Sequence, residues 1–229
     1  MEVAFTDRHG GVSGGSFASL NLALVGGDDP EAVEENHRRV GAEFNGGGPL
    51  LGMFQVHGPD VAVVEDQPGT ALPECDGLVA TTPGSALLVR VADCVPILLA
   101  DPDAGVVGAV HAGRQGLAVG VLPATLDRMR GLGARRITAW VGPHICGRCY
   151  EVPQQLQDEV AAIVPESRAT TSWGTPSLDL GAGVRAQLAT VGAEVVTVDR
   201  CTREDADLYS FRRDGAEAGR LGGLVRLRP

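Results

Sequence analysis

The sequence predicts an α/β or α+β fold, a single layered domain whose mixed β-sheet is covered by helices. Two observations carry that expectation. Short β-type runs intermix along the chain with segments of helical periodicity, and several of the runs are apolar at consecutive positions. A strand with one wet face alternates apolar and polar residues, whereas a strand covered on both faces reads as a continuous apolar run. A covered sheet needs layers on either side of it.

The elements follow in order. "PEAVEENHRRVGAEF" (30–44) reads as a helix, with Pro30 at its start, Asp28 or Asp29 as N-cap and acids in its first turns. Strands are expected at 60–66, 85–91, 96–101 and 105–111. The segment 117–133 carries Ala118, Leu122, Leu126 and Met129 at helical spacing, with Pro123 expected to kink or delay the helix. A strand at 135–142, helices at 153–164 and 180–192, and strands at 193–199 and 222–227 complete the series. No repeat and no linker interrupts it, so residues 1–229 are expected to form one domain.

Composition removes several function classes. The chain is 44% hydrophobic and 4% aromatic, with a net charge of −10; all 19 basic residues are arginine. An acidic surface without a basic cluster argues against nucleic-acid binding. "MEVAFTDRHGG" has no secretory character, and the longest apolar stretches, "GSALLVRV" and "VPILLA", are too short to span a bilayer. Five dispersed cysteines in a chain of this size are no disulfide framework. The expected compartment is therefore the reducing cytoplasm, with no membrane partner and a monomer or weak oligomer.

Three residues stand out chemically. His57 lies in "MFQVHGPD" before a Gly-Pro turn, Cys94 sits in "VADCVP" between two β-type runs, and His111 closes a third in "GAVHAG". Each is expected at a strand end, where loops build sites on a rigid sheet. A His-Cys-His set with an open fourth position suits catalytic zinc. The residues alone leave three readings open: a shared metal site, a core cysteine with unrelated histidines, or a Cys–His nucleophile pair without metal. His9 and His37 read as ordinary surface residues.

"GPHICGRCYEV" brings His144, Cys146 and Cys149 together. Its C-x-x-C spacing can serve zinc or redox chemistry, but Cys75 and Cys201 stand alone in the sequence, so two unbonded loop thiols are expected. No complete phosphate-binding glycine loop is present. Phosphate would fall to arginines, with Arg8, Arg114, Arg148 and the pair Arg212–Arg213 as candidates.

Taken in order, "FTDRHGGVS", "SLNLALVGGDDPEAVEENHRR", "QVHG", "CDGLVATTPGSALLVRVADCVPILLAD", "AVHAG", "GPHICGRCYEV" and "YSFRRDGAEAGRLGGLVRL" resemble the YfiH-type laccase-domain family along nearly the whole chain. Members are labelled variously multicopper polyphenol oxidase, purine nucleoside phosphorylase and peptidoglycan editing factor. The resemblance implies that His57, Cys94 and His111 are metal ligands, and that the protein is a cytoplasmic enzyme. It also implies phosphorolysis of adenosine, inosine, guanosine and methylthioadenosine, together with adenosine deamination. The partners implied are purine nucleosides and phosphate. Asn21 joins Arg8, Arg114, Arg148 and Arg213 as an expected substrate contact.

Two departures bear on substrate. Many members read H-A-G-W-R-G where this chain has "HAGRQG", so Arg114 would have to reach in from the neighbouring position. Arg148 replaces the first of the family's paired cysteines.

Zinc is expected over copper, since five histidines cannot furnish the several centres of a multicopper oxidase. Asp93, beside Cys94, is expected either to shuttle protons or to support a ligating histidine. Three alternatives remain: a copper-type polyphenol oxidase, a metal-free hydrolase or amidase with Cys94 as nucleophile and His111 as base, and a non-catalytic scaffold for cell-wall synthesis.

Overall fold

A computed structural model of the chain describes residues 1–64 and 71–228. Its elements, in order, are β1 (Glu2–Phe5), α1 (Pro30–Asn45), β2 (Leu50–Leu51), β3 (Val61–Val63), β4 (Gly77–Ala80), β5 (Ala86–Val91), β6 (Val95–Asp101) and β7 (Val106–Ala112). Then come α2 (Arg114–Val119), α3 (Val121–Gly131), β8 (Thr138–Val141), α4 (Gln154–Ile163), β9 (Arg168–Thr170), β10 (Pro176–Leu178), α5 (Leu180–Thr190), β11 (Glu194–Thr197), α6 (Phe211–Asp214) and β12 (Leu221–Arg226).

Two mixed sheets form the frame. One has the order β1-β12-β5-β2 and the other β11-β8-β6-β7-β4-β3, while β9 and β10 make a small hairpin pair. The sheets bury one face against each other: Leu87, Val89 and Val225 of the first meet Leu98, Ala109 and Leu78 of the second. The second sheet's other face, with Ile97, Leu99 and Val110, is covered by Leu122 and Leu126 of α3, Val160 of α4 and Val184 of α5. The first sheet's outer face, with Leu88 and Leu224, packs under Val40 of α1. Both faces of β5, β6 and β7 are therefore dry, which is why their sequences are apolar without alternation.

The expected mixed, helix-covered α/β architecture is the one found. Helix α1 is capped by Asp29, whose carboxylate accepts the Glu31 amide at 3.0 Å. The helix expected over 117–133 is two helices. The break falls at Gly120, in the left-handed region at φ 86°, and Pro123 is accommodated in the first turn of α3, where its missing N–H costs nothing. The strand expected at 60–66 is observed as β3; residues 65 and 66 lie outside the described residues. Strands β1, β2, β4, β9 and β10 and the single turn of α6 carry no signal strong enough to read, being two to four residues long.

Leu98, fully buried between the sheets, is expected to be costly to truncate. Leu98→Ala should destabilise the protein by about 2–5 kcal/mol in urea unfolding, with activity retained below the transition.

Candidate metal centre

The pairing of β6 with β7 places Pro96 opposite His111 and Val95 opposite Ala112, so the start of one strand meets the end of the other. Cys94, immediately before β6, and His111 thereby share one edge of the sheet. The connection from β5 is tight enough to hold Asp93 at φ 88°, unusual for a residue with a Cβ. His57 comes from the loop ahead of β3 and is itself left-handed at φ 62°; it sits at the tight turn expected before Gly58-Pro59, with no regular strand directly ahead of it. One ligand atom from each of His57, Cys94 and His111 lies within 4.8 Å of the others. His57 Nε2 is 3.9 Å from Cys94 Sγ, and the two imidazole rings meet edge to face at 4.8 Å.

Asp76, fully buried, organises this cluster. Its carboxylate bonds His111 Nδ1 at 2.7 Å and accepts the amides of Val56 at 3.1 Å and Gly58 at 2.8 Å, on either side of His57. Its carbonyl accepts the His111 amide at 2.8 Å. Burial pushes the Asp76 carboxyl up, but the His111 and amide bonds outweigh it and hold the group below the usual carboxylate range. The carboxylate keeps the His111 proton on Nδ1 and leaves Nε2 for the cluster, an arrangement typical of metal-binding histidines.

Burial opposes charge on both members of the Cys94–His111 pair, yet each holds the other's charge. The thiol is lowered to about 6 by His111, and His111 is raised to about 9 by Cys94 and then by Asp76. Gly113 completes the fit: a Cβ there would stand 2.6 Å from His57 Cδ2 and 3.1 Å from Cys94 Sγ. One soft thiolate and two imidazoles converging at one point, with a carboxylate behind one of them, form a donor set that could hold a transition metal.

The cluster lies in a cavity of about 450 Å³. Arg90, Arg212 and Arg220 line it, as do Tyr150, Phe54 and Phe211. Among the described residues none of these three guanidinium groups has a carboxylate partner; Arg90 bonds the Met53 carbonyl, and Arg212 bonds the Glu151 carbonyl at 2.9 Å and lies 4.9 Å over the Tyr150 ring.

The other sequence candidates scatter. Arg114 opens α2, lines a neighbouring depression with His57 and reaches toward Tyr150 of the cavity. Arg8 stacks on Tyr209 at 4.7 Å and bonds the Ala18 carbonyl, outside the cavity lining. Arg148 faces Glu204 at 3.7 Å, and Arg213 is spent on Asp214 and on the carbonyls of Thr202 and Leu208. Asn21 is buried and accepts the amides of Ala23 and Arg220, two residues that line the cavity, at 3.0 and 2.8 Å. Asp93 turns away from the histidines: its oxygens accept Thr202 Oγ1 and the Arg212 amide, both at 2.6 Å. The carboxylate on His111 is Asp76.

Sequence reasoning passed over Asp76, Tyr150, Arg90 and Arg220. Only Asp76 left a trace, as the lone acid entering the apolar run "CDGLVA". Of the remaining histidines, His9 is exposed and paired with Asp207, whereas His37 is half-buried on the Leu22 carbonyl rather than a surface residue. Cys201 is solitary in sequence but not in space; it joins Cys146 and Cys149.

This geometry can be set beside known proteins. A family profile described as "Multi-copper polyphenol oxidoreductase laccase" matches residues 2–228. The chain belongs to this family. A Streptomyces griseus member, "Purine nucleoside phosphorylase ORF3", is 50% identical over 235 residues, covering 98% of this chain and 93% of its own. Two solved members share the fold. The Neisseria meningitidis protein NMB0706, of the DUF152 family, has a TM-score of 0.89 at 35% identity, covering 99% of this chain and 94% of its own. The Bacillus licheniformis protein YfiH has a TM-score of 0.90 at 28% identity, with coverages of 99% and 92%. The YfiH-type resemblance is thereby established, and a family named for metal chemistry matches a chain whose cavity holds metal-type donors. No helix among the described residues is long and apolar enough to cross a membrane.

Two outcomes follow. Asp76→Asn should weaken metal binding about 10–100-fold by competition with a chromophoric chelator, with a native circular dichroism spectrum. In metal-free protein, Cys94 alkylation by iodoacetamide should rise with pH through a midpoint near 6, since the thiolate reacts and His111 stabilises it. A midpoint near the roughly 8.5 of an ordinary thiol would remove that coupling.

Proposed function

We propose that the protein is a cytoplasmic, zinc-dependent purine nucleoside enzyme. It cleaves adenosine, inosine, guanosine and methylthioadenosine with phosphate, and deaminates adenosine. His57, Cys94 and His111 are its metal ligands. The observation that carries this reading is the cavity itself: a His-Cys-His donor set beside three arginines without ion pairs in a chain of net charge −10. A surface that acidic would ordinarily quench such arginines with carboxylates. Leaving them open favours an anionic co-substrate, and the phosphorylase names of the relatives agree.

When bound, the metal supplies a Lewis acid that stabilises negative charge developing on the purine or on an attacking oxygen. The chain's own groups do the rest. Arg212 is fixed by three contacts: its amide on Asp93, its guanidinium on the Glu151 carbonyl and its stacking on Tyr150. A guanidinium held this way presents its remaining donors to phosphate with little ordering cost. Arg220 and Arg90, which also line the cavity, add charge. In phosphorolysis a phosphate oxygen attacks the sugar carbon, and the glycosidic bond breaks with its electron pair leaving on the purine. Tyr150, Phe54 and Phe211 supply flat apolar surface for a purine. Zinc suits a single centre with one thiolate and two imidazoles better than the several centres of a multicopper oxidase, for which two converging histidines are too few.

A second reading has one observation in its favour. Cys94, His111 and Asp76 fall in the order nucleophile, base, orienting carboxylate, which suits a metal-free Cys–His hydrolase. Its activity would survive chelation and die on alkylation.

Product analysis with adenosine separates these readings. With phosphate, adenine and ribose 1-phosphate are expected; without it, inosine. Cys94→Ala should lose both the metal and turnover. Arg212→Ala should raise the KM for phosphate roughly tenfold or more while changing the KM for nucleoside less. Zinc retained at full stoichiometry in Cys94→Ala would sink the ligand assignment.

A further inference from the structure

The C-x-x-C turn left unused by the cavity has a partner that the sequence hides. Cys146 and Cys149 lie in the loop after β8, and Cys201 and Glu204 in the loop after β11. The two loops are laced together: His144 and Cys201 form a parallel bridge, the Thr202 amide bonds the His144 carbonyl at 3.1 Å, and the Cys146 amide points to Cys201 Sγ at 3.4 Å. Both turns close with the amide four residues on. The Tyr150 amide returns to the Cys146 carbonyl at 3.1 Å, and the Asp205 amide returns to the Cys201 carbonyl at 3.0 Å. The result is two matched pairs, C-x-x-C and C-x-x-E, facing each other. Their three sulfurs and a carboxylate oxygen all lie within 4.8 Å of one another.

We infer that Cys146, Cys149, Cys201 and Glu204 form a second, structural zinc site that clips these two loops together. Four donors at one point, three of them thiolates, match the tetrahedral preference of zinc; sulfurs bound at about 2.3 Å would stand about 3.8 Å apart, inside the 4.8 Å within which these donor atoms lie. Cys149 is buried, Cys146 and Cys201 are half-buried and Glu204 is exposed, so the site opens to solvent on its carboxylate side. It shares no residue with His57, Cys94 and His111. Its four protein ligands leave no open position, which makes its role one of holding rather than reacting.

What it holds follows from its neighbours. The first loop delivers Ile145 and Tyr150 to the cavity, and the second runs on to Phe211 and Arg212. Thr202, adjacent to Cys201, donates to Asp93 at 2.6 Å, and the Ile145 amide, adjacent to Cys146, bonds the Asp93 carbonyl at 3.0 Å. The first loop is tied to β10 by a bridge between Glu151 and Ser177, but among the described residues one parallel bridge alone joins it to the second loop, and a metal clip would add a constraint between the two.

The test uses the full-length Cys94→Ala chain, so that the first centre lacks its thiolate. Reduced, metal-stripped protein is titrated with Co²⁺. The expected result is thiolate-to-cobalt charge-transfer bands with tetrahedral d–d bands, saturating at one equivalent and bleached by one equivalent of Zn²⁺. Adding Cys201→Ser should abolish this spectrum. If that variant fails to fold, Glu204→Gln, at an exposed position, should weaken Co²⁺ binding at least roughly tenfold. Absence of charge-transfer bands in the reduced Cys94→Ala chain would overturn the inference, as would bands unchanged by Cys201→Ser or a Co²⁺ affinity unchanged by Glu204→Gln.

Discussion

The bond from Asp76 to His111 is the contact on which the candidate centre depends. A carboxylate with no exposure costs several kcal/mol unless its lone pairs are met. Here they are met by one imidazole and two backbone amides, and those amides belong to the turn that carries His57. A single buried side chain thus fixes the tautomer of one histidine and the position of another. Gln55 is separately tied to the Arg90 backbone of β5 at 2.7 and 3.0 Å, so removing Asp76 would loosen chiefly the left-handed turn at His57 itself.

Packing explains why the third donor falls in place. The two sheets bury a common face, and the six-stranded one is covered by helices on its other side. Pairing in register then sets Cys94 and His111 together at one edge. The edge is crowded: Gly113 starts α2 where any side chain would strike His57 and Cys94. Rigidity of this kind keeps the three donors converged. The cavity in front of them is walled by longer loops, held by Asp93 through Thr202, Ile145 and Arg212.

Much of this was legible in the sequence, for physical reasons that differ by element. Helix α1 declared itself through Asp29 and Pro30, and β5, β6 and β7 through unbroken apolar runs that only a doubly covered sheet explains. Pro123 was expected to kink or delay the helix; the chain does start a new helix there, but the break is Gly120, three residues earlier, and Pro123 sits harmlessly in the first turn. His57, Cys94 and His111 were visible as donors, but only the family resemblance joined them. Asp76 was not readable, since its role depends on β4 pairing with β7, a long-range fact. Arg90 and Arg220 line the cavity through the pairing of β12 with β5, an equally long-range fact, while Arg8 lies outside the lining on Tyr209 and Arg213 is paired with Asp214. Cys201 was the clearest loss: its partners are distant in sequence, and the parallel bridge to His144 that gathers them leaves no periodic mark.

The most direct test of the central claim is anomalous diffraction at the zinc edge from crystals of zinc-loaded protein. The account predicts an anomalous peak within bonding distance of Cys94 Sγ, His57 and His111 Nε2, with Asp76 still on His111 Nδ1. A fully loaded crystal with no peak there, or a peak that leaves Cys94 unbound, would contradict it.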